Sequence, residues 1–284
     1  MKFYKKPIYI LLIVAVCIFT FIRFNRLQET SVIPSYENKL LVHYINVGQG
    51  DSILIQVNNK NILIDAGPKA KTVYSYLKKH KIKTLHYVIA THPHDDHIGG
   101  MSYVINKFKI LEFYAPKKIA NTETFNSMIT ALNKKNLKII PIKAEKKLDI
   151  GKNASCIFVA PNNDNYNNTN NYSAVIKITY KNTSFLFAGD AEALSESEIL
   201  NTGYNIKSDI LKVGHHGSTS STTTEFLNEV NPKVAVISCG QNNDYGHPNK
   251  ETLSKLKGKN IIIYRTDIDG TIVLESNGEK IIKR

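Results

Sequence analysis

The chain is poor in cysteine. Three of its 284 residues are cysteines. Cys17 falls in an apolar N-terminal run, which leaves Cys156 and Cys239 for the body. Both sit in strand-like apolar contexts and read as buried small hydrophobes rather than as a disulfide or metal ligands. A Gly-x-Ser-x-Gly elbow is also missing. Gly217-Ser218 is only a fragment of one, which disfavours a serine hydrolase. No interleaved aromatic stripe marks a track for single-stranded bases, and no internal repeat is visible. Acidic residues are few: 24 Asp and Glu stand against 37 Lys and Arg, a formal net charge of +13. That balance favours polyanions, acidic substrates or anionic lipid surfaces. The pairs Lys78-Lys79, Lys117-Lys118, Lys134-Lys135 and Lys146-Lys147 are nevertheless spread along the chain, as on a solvated surface.

Residues 1–27 read as a basic cytoplasmic tip and an anchor. Lys2, Lys5 and Lys6 precede the charge-free run from Pro7 to Ile22, and Arg23 and Arg26 follow it. The run is short for a spanning helix and longer than many signal-peptide cores. No small-x-small cleavage site follows. Val16 and the apolar residues after Cys17 do not suit a lipoprotein. An uncleaved transmembrane signal anchor is therefore expected, with a cleaved, secreted form as the alternative. The flanking charges set orientation only weakly, but a lone anchor of this kind most often leaves the body outside the cytoplasm. Residues 28–38, with Pro34, read as a polar linker, and 39–284 as one large domain.

Apolar runs open the body at Leu40 to Val47, Ser52 to Val57 and Asn61 to Ile64, with a hairpin turn at Asn58-Asn59-Lys60. Helical patterns follow at Thr72 to Lys79, Met101 to Phe108, Thr122 to Asn133, Glu192 to Asn201 and Glu251 to Lys257. Strands alternate with them: Leu85 to Ala90, Ile110 to Tyr114, Leu137 to Ile142, Cys156 to Ala160, Tyr172 to Tyr180, Ser184 to Ala188, Asp209 to Val213, Val234 to Ser238 and Asn260 to Tyr264. A hairpin covers Thr271 to Ile282, and the Asn-rich stretch from Asn162 to Asn171 reads as a loop. Such a mixture suits sheet packed on sheet with helices outside.

The segment Thr91-His92-Pro93-His94-Asp95-Asp96-His97-Ile98-Gly99-Gly100 carries the chemistry. Three imidazoles and the Asp96 carboxylate within one turn-length make a good metal site, because imidazole suits zinc and other transition metals and carboxylate neutralises charge. The spacing sends alternate side chains to two neighbouring points and so serves two ions. The run leaves a strand, where loops are commonly built into sites. Much further on, Asp190 ends the apolar strand Phe185-Leu186-Phe187-Ala188-Gly189. It could cap a helix or bridge two cations, and the upstream motif favours the bridge.

Seven motifs stand in one order. They are Asn46-Val47-Gly48-Gln49-Gly50-Asp51-Ser52, Ile64-Asp65-Ala66-Gly67, the His92 to His97 run, Asn170-Asn171-Tyr172-Ser173, Ala188-Gly189-Asp190-Ala191-Glu192, Gly214-His215-His216-Gly217-Ser218 and Tyr245-Gly246-His247-Pro248. Together they resemble the metallo-β-lactamase-fold hydrolases, in particular the hydrolase domain of ComEC-type DNA-uptake proteins and the related phosphorylcholine esterases. The resemblance implies an α/β (α+β) fold, a four-layered αββα sandwich with two divalent metal ions, Zn or Mn, at one edge. It implies His92 and His94 on the first ion, Asp96 and His97 on the second, Asp190 between them and His247 completing the second. Most such proteins carry another histidine where this chain has Asn170 and Asn171. His215 is expected to supply that imidazole, with His216 beside the metals or on a substrate phosphate, although the two roles are exchangeable. This departure leaves zinc and manganese open for the first ion. Asp65 is expected to orient a ligand histidine. Asp51 is either a site residue or a plain hairpin residue. Asn171, Ser173 and Ser218 are candidate donors to a substrate oxygen.

The chemistry implied is attack by a metal-activated water on phosphorus or carbonyl carbon, with Asp96, Asp190 and His216 as catalytic groups. The leading expectation is an extracytoplasmic, membrane-anchored phosphodiesterase. Its substrate would be DNA, a wall polymer or a lipid, with DNA placed first, and no protein partner is identifiable. A β-lactam or lactone hydrolase and a non-catalytic metal-binding domain are the alternatives.

Overall fold

The computed structural model describes residues 38–68 and 70–284. The expected anchor and most of the linker therefore lie outside the described residues. No helix among the described residues is long and apolar enough to cross a membrane.

Two sheets form from strands that hide apolar side chains on both faces. In the first, β1 (Leu40–Tyr44), β2 (Ile53–Val57) and β3 (Lys60–Ile64) are antiparallel, while β4 (Thr84–Ile89), β5 (Lys109–Ala115) and β6 (Ile139–Pro141) continue in parallel. The β2–β3 turn places Asn58 at φ 48° and Asn59 at φ 60°, a backbone region that asparagine tolerates and that tight hairpins require. In the second sheet, β7 (Lys147–Leu148), β8 (Ala154–Ala160), β9 (Val175–Tyr180) and β10 (Thr183–Phe187) are antiparallel. There β11 (Ile210–Lys212), β12 (Val234–Ile237) and β13 (Ile262–Arg265) follow in parallel. The C-terminal hairpin of β14 (Ile272–Ser276) and β15 (Ile281–Lys283) joins the first sheet beside β1, with Val42 opposite Leu274.

Side chains alternate between the faces of a strand, and three apolar layers result. Val42, Ile55, Phe158, Ile178, Phe185 and Phe187 meet between the sheets. Leu54, Leu63, Val88 and Phe113 turn outward against helices α1 (Ala70–Lys79), α3 (Met101–Lys107) and α4 (Glu123–Lys134). Leu186, Leu211 and Ala235 turn the other way against α5 (Ala193–Asn201), α6 (Thr224–Val230) and α7 (Lys250–Gly258). The short α2 (Asp95–Ile98) lies in the metal-motif segment and α8 (Thr266–Asp269) follows β13. The result is the four-layered αββα sandwich.

Parallel strands need helical crossovers, so their carboxyl ends all face one edge. The loops leaving β3, β4, β10, β11 and β12 carry Asp65, His92–His97, Asp190, His215–His216 and His247. The fold thus gathers residues distant in sequence at that edge.

Phe185 is fully buried between the sheets. Phe185→Ala should lower stability by about 3–5 kcal/mol, read from the denaturant midpoint of the full-length protein. A loss below about 1 kcal/mol would contradict a close-packed layer there.

Candidate metal centre

After β4 the chain turns sharply, and the amides of His97 and Ile98 both bond to the His94 carbonyl, each at 3.0 Å. The turn is locked from outside by the β1–β2 loop, where the Asp51 amide donates to the Asp96 carbonyl at 3.2 Å. Gly50 at this contact has φ +132°, and a Cβ there would stand 2.2 Å from that carbonyl oxygen. Only glycine fits.

Asp65, fully buried, fixes His97. Its carboxylate accepts from the Thr91 amide at 2.8 Å, from the Thr91 hydroxyl at 2.7 Å and from His97 Nδ1 at 2.8 Å. With its proton committed at Nδ1, His97 presents Nε2 to Asp190 Oδ2 at 3.2 Å and Asp96 Oδ2 at 3.7 Å. That Nε2 is buried and has no hydrogen-bond partner. His216 is fixed in the same way. Its Nδ1 donates to the Ser238 carbonyl at 2.9 Å, and its Nε2 lies 3.1 Å from Asp96 Oδ2 and 3.5 Å from Asp190 Oδ2. Ligand atoms of Asp96, His97, Asp190 and His216 all lie within 4.8 Å of one another.

A second pair stands beside this group. His92 Nε2 and His94 Nδ1 are 3.0 Å apart, and His92 Nε2 is 3.8 Å from Asp190 Oδ2. Two nitrogens each about 2.1 Å from one tetrahedral ion stand about 3.4 Å apart, a little farther than this pair. The Ser173 hydroxyl accepts from the Asp190 amide at 3.1 Å and touches His92 Nδ1 at 3.3 Å, tying the two halves together.

The turn after β11 decides between His215 and His216. Both have left-handed backbones, φ 45° and 54°. Such strain costs of order 1–3 kcal/mol per residue and concentrates at functional sites. It is held by the His215 amide on the Gly189 carbonyl at 3.0 Å and the Ser218 amide on the His215 carbonyl at 2.8 Å. The turn drives His216 inward and leaves His215 at the mouth. There His215 Nδ1 meets the Ser220 hydroxyl at 3.0 Å and Glu192 at 3.3 Å, and its Nε2 is 3.8 Å from Asp190 Oδ2. His216 thus stands in the tight group and His215 outside it, the reverse of the placement preferred from sequence.

His247 does not join the tight group either. Its ring lies 5.5 Å from that of His215 and 6.2 Å from that of His216. Its buried Nδ1 lacks a hydrogen-bond partner. Gly217, at φ +85°, packs so tightly on Pro248 that a Cβ would come within 2.6 Å, which holds His247 at the mouth. Among the described residues His216, not His247, stands within reach of both the Asp96 and Asp190 carboxylates, because the buried turn brings its imidazole inward.

Other expectations divide. Asp190 does not cap α5; its carboxylate faces the histidines, and Glu192 occupies the cap position. Asn171 is not aimed at the centre, because its side-chain oxygen accepts from the Glu192 and Ser195 amides at 3.2 and 3.3 Å. Ser218 acts on the loop, accepting from the Ser220 amide at 3.2 Å. Asp51 lies beside the tight group: it is buried against Lys212 Nζ at 2.9 Å and reaches His216 Nδ1 at 3.5 Å. Sequence reading passed over Lys212, whose only signal is a lysine inside the apolar strand Ile210-Leu211-Lys212-Val213. It also passed over Thr91 and over Glu196, which is buried and binds the Thr222 and Thr223 amides at 2.5 and 2.8 Å.

Carboxylates set the local electrostatics. Burial alone would raise the Asp190 carboxyl, but His216 and His97 outweigh it and hold that group well below the usual range. Burial likewise opposes charge on Asp51, yet Lys212 and then His216 bring it down to about 2. His97 and His216 are raised well above an ordinary imidazole despite burial, with Asp190 the foremost opposing cause for each. His92, desolvated and beside His97, is lowered well below it. The pocket thus attracts positive charge. Unpaired His97 Nε2, unpaired Asp190 Oδ1 and the converging His92 and His94 nitrogens fit divalent cations held by nitrogen and oxygen.

Comparisons with known proteins agree with this fold. Residues 45–241 match the model of the metallo-beta-lactamase superfamily. The chain is 31% identical over 85% of its length to ComE operon protein 3 of Bacillus subtilis, of which it covers 34%. It is 28% identical over 92% of its length to Recombination protein 2 of Haemophilus influenzae, covering 31% of that protein. It is also 28% identical over 83% of its length to competence protein ComA of Neisseria gonorrhoeae, covering 32%. The chain thus spans about a third of the length of these curated relatives. Among solved structures, the metallo-beta-lactamase fold protein YhfI of Bacillus subtilis aligns with a TM-score of 0.55 at 14% identity, over 84% of this chain and 100% of that one. The chain belongs to the metallo-beta-lactamase superfamily.

Two outcomes follow from the geometry. Asp65→Asn should weaken zinc binding about 10–100-fold, measured by competition with a chromophoric chelator; unchanged affinity would refute the role given to Asp65. Lys212→Met should cost about 3–5 kcal/mol because it strands a buried carboxylate. Lys212→Met with Asp51→Asn should recover part of that loss in denaturant titrations, and no recovery would break the pairing.

Proposed function

We propose that the protein is a metal-dependent phosphodiesterase acting on DNA or on a phosphodiester of the cell envelope. One observation carries the reading. The single oxygen Oδ2 of Asp190 lies 3.2 Å from His97 Nε2, 3.5 Å from His216 Nε2 and 3.8 Å from both His92 Nε2 and His215 Nε2. A carboxylate reaching both ligand groups suits a two-cation centre. His92, His94 and Asp190 would hold one ion and Asp96, His97, Asp190 and His216 the other. Two divalent ions in such a centre supply Lewis acidity and a nucleophilic water for in-line displacement. The mixed imidazole and carboxylate donors suit zinc or manganese.

The chain's own groups do the rest. Asp65 and the Ser238 carbonyl keep the protons of His97 and His216 on Nδ1 and their Nε2 atoms inward. His215, at the mouth beside Asp190, takes the role of holding a substrate phosphate oxygen. His247 is lowered to about 4, first by burial and then by His215 and His216, and so stands neutral beside it. Relatives named for competence and recombination support DNA as substrate, and a formal net charge of +13 suits any polyanion. The charge-free run from Pro7 to Ile22 supports a membrane-held protein with its body outside the cytoplasm.

Full-length protein loaded with zinc or manganese should hydrolyse bis(p-nitrophenyl) phosphate, and Asp190→Asn should lower the rate at least about 100-fold, the scale lost when charge stabilisation is removed from a transition state. Equal rates in a folded, metal-bound Asp190→Asn protein would sink the reading.

A further inference from the structure

Beside the metal centre lies a pocket of about 540 Å³, a size ordinary for small-molecule sites. His92 and Pro93 form one wall, so it abuts the metal-binding loop. Its other walls include Ile98, Phe125, Met128, Ile129 and Ile139, from α2, α4 and β6. Apart from His92 itself, the polar side chains at this pocket are Lys117 and Lys118, on the loop leaving β5. Lys118 Nζ sits 4.8 Å from the centroid of the Tyr172 ring, one residue before Ser173. Ile119, next in sequence, is 79% exposed at the mouth.

Apolar depth, a cationic rim and a metal ligand as one wall form a graded surface. A nucleobase seated there would bury ring nitrogens and carbonyls with no hydrogen-bond partner, at a cost of about 1–3 kcal/mol for each. A hydrocarbon incurs no such cost. The lysines complement an anion next to it.

We propose that this pocket receives a hydrocarbon arm of the phosphodiester substrate, with the phosphate at the metal centre and Lys117 and Lys118 over the anionic junction. The proposal rests on the phosphodiesterase reading for its phosphate and selects amphiphilic diesters over those with only polar arms. Pro93, Pro116 and Pro141, at three of the loop ends lining the pocket, favour a preformed shape over one moulded by the ligand.

The test uses the full, metal-loaded chain free of detergent and of lipid, either of which could fill the pocket. Binding of butyl, hexyl and octyl phosphate is measured below their micellar concentrations, with no turnover required. Affinity should rise with each added methylene, by up to about fourfold. Ile119→Asp should flatten that slope and Ile119→Leu should keep it. In parallel, p-nitrophenyl diesters with methyl, octyl and thymidine-5′ second arms report kcat/KM. Preference for the octyl ester is expected. Binding independent of chain length, or a thymidine ester favoured over the octyl ester, overturns the pocket assignment. Loss of all hydrolysis with the binding slope intact would strike the phosphodiesterase reading and leave the pocket standing.

Discussion

Four carboxylates, those of Asp51, Asp65, Asp96 and Asp190, crowd one edge of the sandwich, and Lys212 is the ammonium ion-paired among them. Burying negative charge at this density is costly unless cations or hydrogen bonds answer it. Each acid is answered differently. Asp65 is saturated by Thr91 and His97, Asp51 is paired with Lys212, and Asp96 and Asp190 are left facing imidazole Nε2 atoms. Only the last two are answered by imidazoles alone, and between them lies the candidate place for divalent ions.

The two-sheet frame makes that arrangement affordable. Its core of fully buried aromatic and branched residues needs no help from the site. Strand ends are the stiffest places from which to hang ligands, and here five of them contribute. The loops compensate for the crossing distances by tight contacts: Gly50 against Asp96, and Gly217 against Pro248. Strain in the His215–His216 turn fits the same pattern, since a relaxed turn would not point adjacent imidazoles to the inside and to the mouth.

Much of this was legible from residue order. Apolar runs located β2, β3, β4 and β10 closely, and Asn58-Asn59 marked the hairpin. The His92 to His97 run stood out because its residue types and spacing are rare by chance. Other features were not. The pairing of β14 with β1 joins residues more than two hundred positions apart and has no local signal. The short α2 was read as loop because Pro93 and the histidines interrupt any apolar period. His215 and His216 differ only through a left-handed turn that neighbouring segments impose. Asn171 looked like a site residue because its place in the motif order was known, while its capping bond to α5 depends on packing. Lys212 was hidden by its apolar strand, since its partner arrives from a loop 161 positions away.

The central claim is that Asp190 lies between two ions. Anomalous diffraction at the zinc edge from zinc-loaded crystals tests it most directly. The account predicts two peaks about 3.5–4 Å apart, one beside His92 and His94, the other beside His97 and His216, with Asp190 between them. A single peak, or a second one held by His215 and away from Asp190, would contradict it.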